Sequence, residues 1–325
     1  MRVLVTGANG FVGAAVCRRL LAQGWSVAAA VRRSDGLPAG VEVRKMESLG
    51  PHTPWLSALD GIDAVVHLAG RAHAMGENKK RSAALYRAIN TEGTLHLTRE
   101  AARRGVRHLL FMSSIKVNGD ATHGTPFTFE DTPAPTDAYG RSKWEAEQGL
   151  AKLVQAGLGH FHVTIMRPPL VYGPGVRANV LALLRAVDKG WPLPLAAIDN
   201  RRSLIFVDNL ADAVAVALRE PAGACETFLL SDGEDLSTPD LIRRLAGLMG
   251  RPAKLWPVPP PLLLLAGRLL GREAAARRLI DSLQVRGTAF RKRFDWTPPA
   301  TLDQGLAETV AWFKATQSNR PGSGA

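Results

Sequence analysis

The chain has 325 residues, 46 % apolar and 22 % charged, the balance of a globular protein long enough for one large α/β unit and a smaller appended region. Its net charge of +12 sits largely in scattered arginine pairs such as Arg18-Arg19, Arg32-Arg33, Arg103-Arg104, Arg201-Arg202 and Arg277-Arg278, with no long basic run. That pattern argues against a nucleic-acid partner, and the two distant cysteines, Cys17 and Cys225, argue against a disulfide scaffold or a metal site.

The opening "MRVLVTG" reads as a strand rather than a secretory leader, so a cytoplasmic location is expected. The runs "RVLVTG", "SVAAAVR", "VEVRKM", "DAVVHLAG", "HLLFMSS" and "HVTIMRPP" follow as candidate strands, each nearly continuous in apolar residues. Such runs suit a parallel sheet buried on both faces. Helices are expected between them, over 14–23 with Gly24 at its exit and over 83–104. After Arg167 the breakers in "RPPLVYGPG" end the pattern, and a loop, a helix and the turn "WPLPL" are expected before Arg202. "SLIFVDNLADAVAVAL" then reads as a return to the sheet followed by a helix, with Asp208 and Asp212 capping and orienting it. "STPDLIRRLAGLMG" carries its own helix signals: Ser237 or Thr238 at the N-cap, Pro239 in the first turn and Gly250 at the exit. The apolar stretch "PVPPPLLLLAGRLLG" is broken by prolines and Arg268 and is too short to span a bilayer. It reads as a surface helix, with interfacial membrane contact as the alternative. The last residues, 317–325, have the composition of a disordered tail.

Gly7, Gly10 and Gly13 stand between the first strand and the first helix. Bare backbone at that turn lets a pyrophosphate reach amide groups and the positive end of the helix dipole, which points to a dinucleotide. The second strand ends in Val31, Arg32 and Arg33, where an NAD enzyme would place a carboxylate for the ribose hydroxyls. Guanidinium groups there suit a 2′-phosphate, favouring NADP(H) over NAD(H). The other reading leaves both arginines solvated and has Asp35 reach the ribose.

"DAYGRSK" sets Tyr139 four residues before Lys143, one above the other on a helix face. A phenol near its reference pKa of about 10 is protonated at neutrality, and a nearby ammonium would lower it by about one to three units. The pair could therefore move a proton at a carbinol oxygen during hydride transfer. "FMSSIKVNG" ends the fifth strand with Ser113 and Ser114, and strand ends are where such sheets place ligands.

Taken together, "TGANGFVG", "HLAG", "SSIKVNG", "YGRSK", "RPPLVYGPG" and "RRSLIFVDNLADA" occur in an order that resembles the extended short-chain dehydrogenases/reductases, of the NAD-dependent epimerase/dehydratase type. The resemblance implies a Rossmann-type doubly wound sheet with a smaller C-terminal substrate-binding region. The expected boundaries are 1–167 plus about 203–230 for the dinucleotide half and 168–202 plus about 231–316 for the substrate half. It implies that Ser114 hydrogen-bonds the reacting oxygen, that Lys143 also binds the nicotinamide ribose, and that Asn90 orders water or substrate. Phe11, Val12, Ala69, Gly70 and Pro168 would join the glycines at the cofactor. Asn179 and Arg202 match contacts to a nucleotide diphosphate in UDP-hexose 4-epimerases and UDP-4-keto-6-deoxy-hexosamine 4-reductases. Asn118 departs from the tyrosine that many relatives carry there, which alters the expected pocket wall. The implied activity is hydride transfer at C4 of a nucleotide sugar. Reduction of a UDP-4-keto-6-deoxy-hexose(amine) for polysaccharide synthesis is favoured, and 4-epimerisation of UDP-glucose or UDP-N-acetylglucosamine is the alternative. A non-catalytic NADP sensor is the distant third. The family also implies a homodimer formed through the Tyr139 helix and its predecessor.

Overall fold

The computed structural model describes residues 1–72, 79–158, 160–220 and 223–318. Seven parallel strands form the main sheet: β1 (Arg2–Thr6), β2 (Ser26–Val31), β3 (Glu42–Lys45), β4 (Ala64–His67), β5 (His108–Met112), β6 (His162–Arg167) and, later in the chain, β9 (Cys225–Leu229). Their order across the sheet is β3-β2-β1-β4-β5-β6-β9. The six strands expected from apolar runs are all present. β9 was missed, because "CETFL" alternates polar and apolar residues at the sheet edge.

Strand pleating explains the two-sided burial. Val3 and Val5 enter one apolar cluster while Leu4 enters the other, as successive side chains point to opposite faces. One face is covered by α1 (Phe11–Ala22) and α6 (Val207–Arg219). The other carries α3 (Gly93–Arg103) and α4 (Ala138–Gln155), through Leu97, Ala101, Ala146 and Leu150. The helical run before α3 begins with α2 (Lys79–Tyr86) and passes through one π-helical segment, Arg87–Glu92. Gly24 follows the end of α1 in the left-handed conformation, as expected of a helix exit.

A second, three-stranded sheet is made of β7 (Leu170–Tyr172), β8 (Arg202–Phe206) and β10 (Asp235–Leu236), in the order β10-β8-β7. Two expectations are corrected here. The segment after Arg167 is not all loop, because Leu170–Tyr172 pairs in parallel with β8. "SLIFV" does not return to the main sheet, whose far edge is taken by β9. The remaining helices are α5 (Ala178–Asp188), α7 (Thr238–Met249), α8 (Pro260–Leu269), α9 (Glu273–Ile280), α10 (Thr288–Phe294) and α11 (Leu302–Ser318); α11 packs on β7 and β8, and α10 on β9. α7 has the predicted ends, with Ser237 accepting from the Asp240 amide and Gly250 left-handed at φ 67°. Asp212 does not cap α6. It accepts from the indole of Trp296 at 2.8 Å and pairs with Arg19, tying α6 to α1 and to the C-terminal region. Of the tail expected to be disordered, Gln317 and Ser318 are helical, and 319–325 lie outside the described residues.

Candidate active site

The chain runs from β1 to β2 and β3, then crosses back to place β4 on the other side of β1. This reversal leaves a crevice beyond the carboxyl ends of β1 and β4, the usual ligand position in such sheets. Gly7 leaves β1 at φ +69°, Gly10 donates its amide to the Gly7 carbonyl at 2.9 Å, and α1 begins at Phe11. A Cβ on Gly7 would stand 2.9 Å from the Ala69 nitrogen, and one on Gly13 only 2.1 Å from the Gly7 oxygen. The turn is therefore open to a ligand's phosphates and closed to side chains.

A cavity of about 470 Å³ opens on this turn, walled by Gly7, Asn9, Val31, Arg32, Ala69, Gly70 and Arg71. Met46, Ser48, Leu49, Trp55 and Ile89 also line it, and sequence reasoning had named none of them as site residues. Trp55 was legible only as an apolar residue in a loop; it is buried, and its indole nitrogen has no hydrogen-bond partner among the described residues. Arg32 and Arg33 share an adjoining cavity with Asn9, whose amide donates to the Arg33 carbonyl at 3.2 Å. Asp35 lines neither cavity. A bare glycine turn that a Cβ would fill and an arginine at the end of β2 fit a dinucleotide.

A hydrogen-bonded chain ties this turn to the helices behind it. The Ala69 amide donates to Thr6 Oγ1 at 3.1 Å, Thr6 meets His67 Nδ1 at 2.7 Å, and His67 Nε2 meets Thr94 Oγ1 at 3.0 Å. Burial, with Lys143 nearby, drives the His67 pKa down to about 3, so the ring is neutral. Asn90, on the π-helical segment, accepts from the Arg71 amide at 2.8 Å and donates to the Arg71 carbonyl and to Ser142 Oγ, both at 3.0 Å. Its side chain thus locks the loop after β4 onto α4, and π-helical segments recur at such functional positions.

Tyr139 and Lys143 lie on α4, whose N-cap Asp137 accepts from the Gly140 amide. Lys143 is buried, donates from Nζ to the Met112 carbonyl at 2.9 Å and sits 4.5 Å from the Phe111 ring centre. Burial pulls its ammonium down to about 8, against Glu147, which holds it up. Tyr139 stands edge-on to Tyr86, with the Ser114 hydroxyl near enough to act on its phenol. Burial pushes its phenol up to about 12, and Ser114 opposes this. The ammonium was expected to lower the phenol. Desolvation prevails instead, with the Lys143 hydrogen bond directed at Met112.

Ser114, two residues beyond β5, caps the 3₁₀ turn Ile115–Val117, accepting from the Lys116 amide. Ser113 turns the other way and donates to Glu147. Glu147 forms a buried bidentate pair with Arg167, whose Nη1 donates to Asn118 Oδ1 at 2.9 Å. Asn118 also donates to the Thr128 carbonyl and is 2 % exposed, so it braces this network and does not form a pocket wall. Glu147 on α4 and Arg167 at the end of β6 escaped sequence reasoning, since charged side chains are ordinarily exposed. Pro168 accepts from the Ile115 amide at 3.1 Å, behind the serines, and Phe11 lies against Gly175 of the "YGPG" loop.

Asn179 and Arg202 line a separate small cavity of about 50 Å³ with Leu183, Leu241 and Arg278. Arg202 Nη1 donates to the carbonyls of Arg278 and Asp281 at 2.8 and 2.9 Å. Ala178, just before Asn179, is held at φ 53°, an uncommon conformation for a residue with a Cβ.

Known proteins bear out the resemblance read from the spaced motifs. The family model described as the NAD dependent epimerase/dehydratase family matches residues 3–229. A UDP-glucose 4-epimerase of Vibrio cholerae is 39 % identical over 314 residues, spanning 96 % of this chain and 95 % of that one. An N-acetyl-α-D-glucosaminyl-diphospho-ditrans,octacis-undecaprenol 4-epimerase of Escherichia coli O157:H7 is 27 % identical over 95 % of this chain and 94 % of its own. Among solved structures, MoeE5 in complex with UDP-glucose and NAD shares the fold at a TM-score of 0.79 and 23 % identity, covering 98 % of this chain and all of that one (100 %). With the glycine turn, the crevice and the Tyr139–Lys143 helix in the same chain as these matches, the protein belongs to the NAD dependent epimerase/dehydratase family.

Proposed function

We propose that this enzyme carries out reversible hydride transfer at C4 of a UDP-activated hexose, working as a 4-epimerase. The observation that carries the reading is the cluster of Ser114, Tyr139 and Lys143 at the carboxyl end of β5, beside the dinucleotide crevice. The UDP-glucose 4-epimerase of Vibrio cholerae, matched over 96 % of this chain, supports it.

In this reading Tyr139 takes the proton of the C4 hydroxyl and later returns it to the 4-keto oxygen. Ser114 hydrogen-bonds the same oxygen and holds it against the phenol. A bound nicotinamide dinucleotide supplies the hydride acceptor and donor at C4, and its positive charge opposes the upward pull of burial on the phenol. Lys143 contributes the second positive charge, fixed by the Met112 carbonyl. Asn90 keeps the Gly70–Arg71 backbone and α4 at a constant separation. Asn179 and Arg202 hold the diphosphate of the substrate.

A second reading is a reductase of a UDP-4-keto sugar using NADP(H). It is favoured by Arg32 and Arg33, with no carboxylate lining their cavities, and by a phenol poised as an acid. Incubation with UDP-glucose or UDP-N-acetylglucosamine and catalytic coenzyme separates the two. An epimerase yields the 4-epimer with no net change in reduced-nicotinamide absorbance. Stoichiometric oxidation of NADPH with a 4-keto sugar nucleotide, and no epimer without it, makes the enzyme a reductase.

A further inference from the structure

Helix α8 breaks the usual rule for a surface helix. Its solvent side should be polar, yet Leu262, Leu265 and Leu269 recur there at i, i+3 and i+7, and with Leu270 they are 53–80 % exposed. Among its ten residues, Arg268 carries the only charge, and Gly267 alone is buried. Trp256 and Trp191, 62 % and 56 % exposed, stand on two segments joined by the Leu193–Leu255 bridge just ahead of α8. Exposed apolar side chains concentrated in one part of the chain in this way mark an interaction site.

The charge around it chooses the partner. Residues 251–280 carry six basic side chains and one acid, Glu273, which bridges Arg268 and Arg277. Arg251, Lys254, Arg268 and Arg272 are all exposed, and the Lys189 ammonium lies 5.0 Å from the Trp191 ring centre. Leucines on one helix face, exposed tryptophans and exposed basic side chains are the makeup of a surface that lies on an anionic bilayer. Among the described residues no helix is long and apolar enough to cross a membrane, so contact is in the plane of the surface. Two-fold pairing with a second copy would set these basic side chains against their own copies, since an isologous contact buries the same patch twice.

We infer that α8, with Trp191 and Trp256, docks the enzyme onto an anionic lipid surface. α8 packs on α9, and α9 supplies Arg278 and Leu279 to the Asn179–Arg202 cavity. The bilayer would therefore lie one helix away from that cavity. The docking itself rests on no assignment of substrate.

Co-sedimentation with sucrose-loaded vesicles tests it, using phosphatidylcholine alone or with about 30 mol % phosphatidylglycerol. The wild-type chain should bind the anionic vesicles, bind plain phosphatidylcholine far less, and be released as salt rises from about 0.05 to about 0.5 M. The triple variant Leu262→Ser, Leu265→Ser, Leu269→Ser should lose at least about tenfold in partitioning. Its thermal midpoint and its turnover of soluble UDP-sugar should stay at wild-type values, because these side chains are exposed and outside the site. The inference is overturned if wild type ignores anionic vesicles or if the triple variant partitions equally. It is also overturned if light scattering shows that the substitutions dissociate an oligomer, since the face would then be covered by a second copy. Failure of the vesicle arm leaves the proposed epimerase activity standing, and absence of that activity leaves the vesicle arm readable.

Discussion

At Tyr139 two opposing effects decide what the side chain can do at neutral pH. Burial holds the phenol at about 12, with Asp137 and Tyr86 adding to the rise and Ser114 opposing it, while a bound oxidised nicotinamide would favour phenolate. Below the pKa reached in the working complex, the base form grows tenfold per pH unit, so oxidation at C4 should show an acid limb of slope one. Removing the phenol oxygen in Tyr139→Phe should lower kcat by about 10²–10⁴-fold, while dinucleotide affinity, followed by tryptophan quenching, stays within about twofold. A partner-binding sensor without chemistry would show no turnover to lose. Arg32 is the second residue that decides something, since it walls the dinucleotide cavity where a carboxylate would exclude a 2′-phosphate. Arg32→Asp should raise the KM ratio of NADPH to NADH by about 10–100-fold, the worth of one charge-assisted hydrogen bond. An unchanged ratio would return the arginine to the role of a solvated charge.

At the scale of elements, the first strand–turn–helix unit was readable because its demands are local. Gly13 must lack a side chain, as its Cβ would meet the Gly7 carbonyl at 2.1 Å, and both atoms belong to backbone. Gly13→Ala should therefore push the turn away from α1, costing about 1–3 kcal/mol in urea melts and weakening dinucleotide binding by at least about tenfold. The Tyr139–Lys143 spacing on α4 was equally local. The companions of α4 were not: Glu147 pairs with Arg167 on β6, which holds Asn118 beyond β5. Residues 20 to 49 apart in sequence build that network, and no local pattern announces it. Trp55 belongs to the same class, an apolar loop residue until the fold sets it on the wall of the glycine cavity.

For the whole molecule, the two sheet faces set the pH range of stability. His67 and His108 are buried inside, with pKa values driven by burial to about 3 and about 4. Unfolded, each would titrate near 6.5, so between that value and the folded value the unfolded chain binds more protons. Stability from these rings is complete above about pH 6.5 and falls by about 1.4 kcal/mol per unit and per histidine as the pH drops. Thermal midpoints should decline from pH 6.5 toward 4.5, and His108→Gln should flatten that decline. A midpoint that stays level over this range would mean the rings are protonated inside the fold.

The amino-acid order alone determined the parallel strands β1 to β6, the glycine turn, the Tyr139–Lys143 pair and the ends of α7. Each rests on neighbours within a turn or a pleat, where sterics and periodicity act directly. Tertiary structure decided the rest. It sent β8 into the small sheet and gave the far edge of the main one to β9, although β8 is the more continuously apolar run. It reversed the expected direction of the Tyr139 shift, and it turned Asn118 from a pocket wall into a buried brace. Desolvation and long-range pairing depend on which distant residues close over a group, and that is a property of the assembled fold.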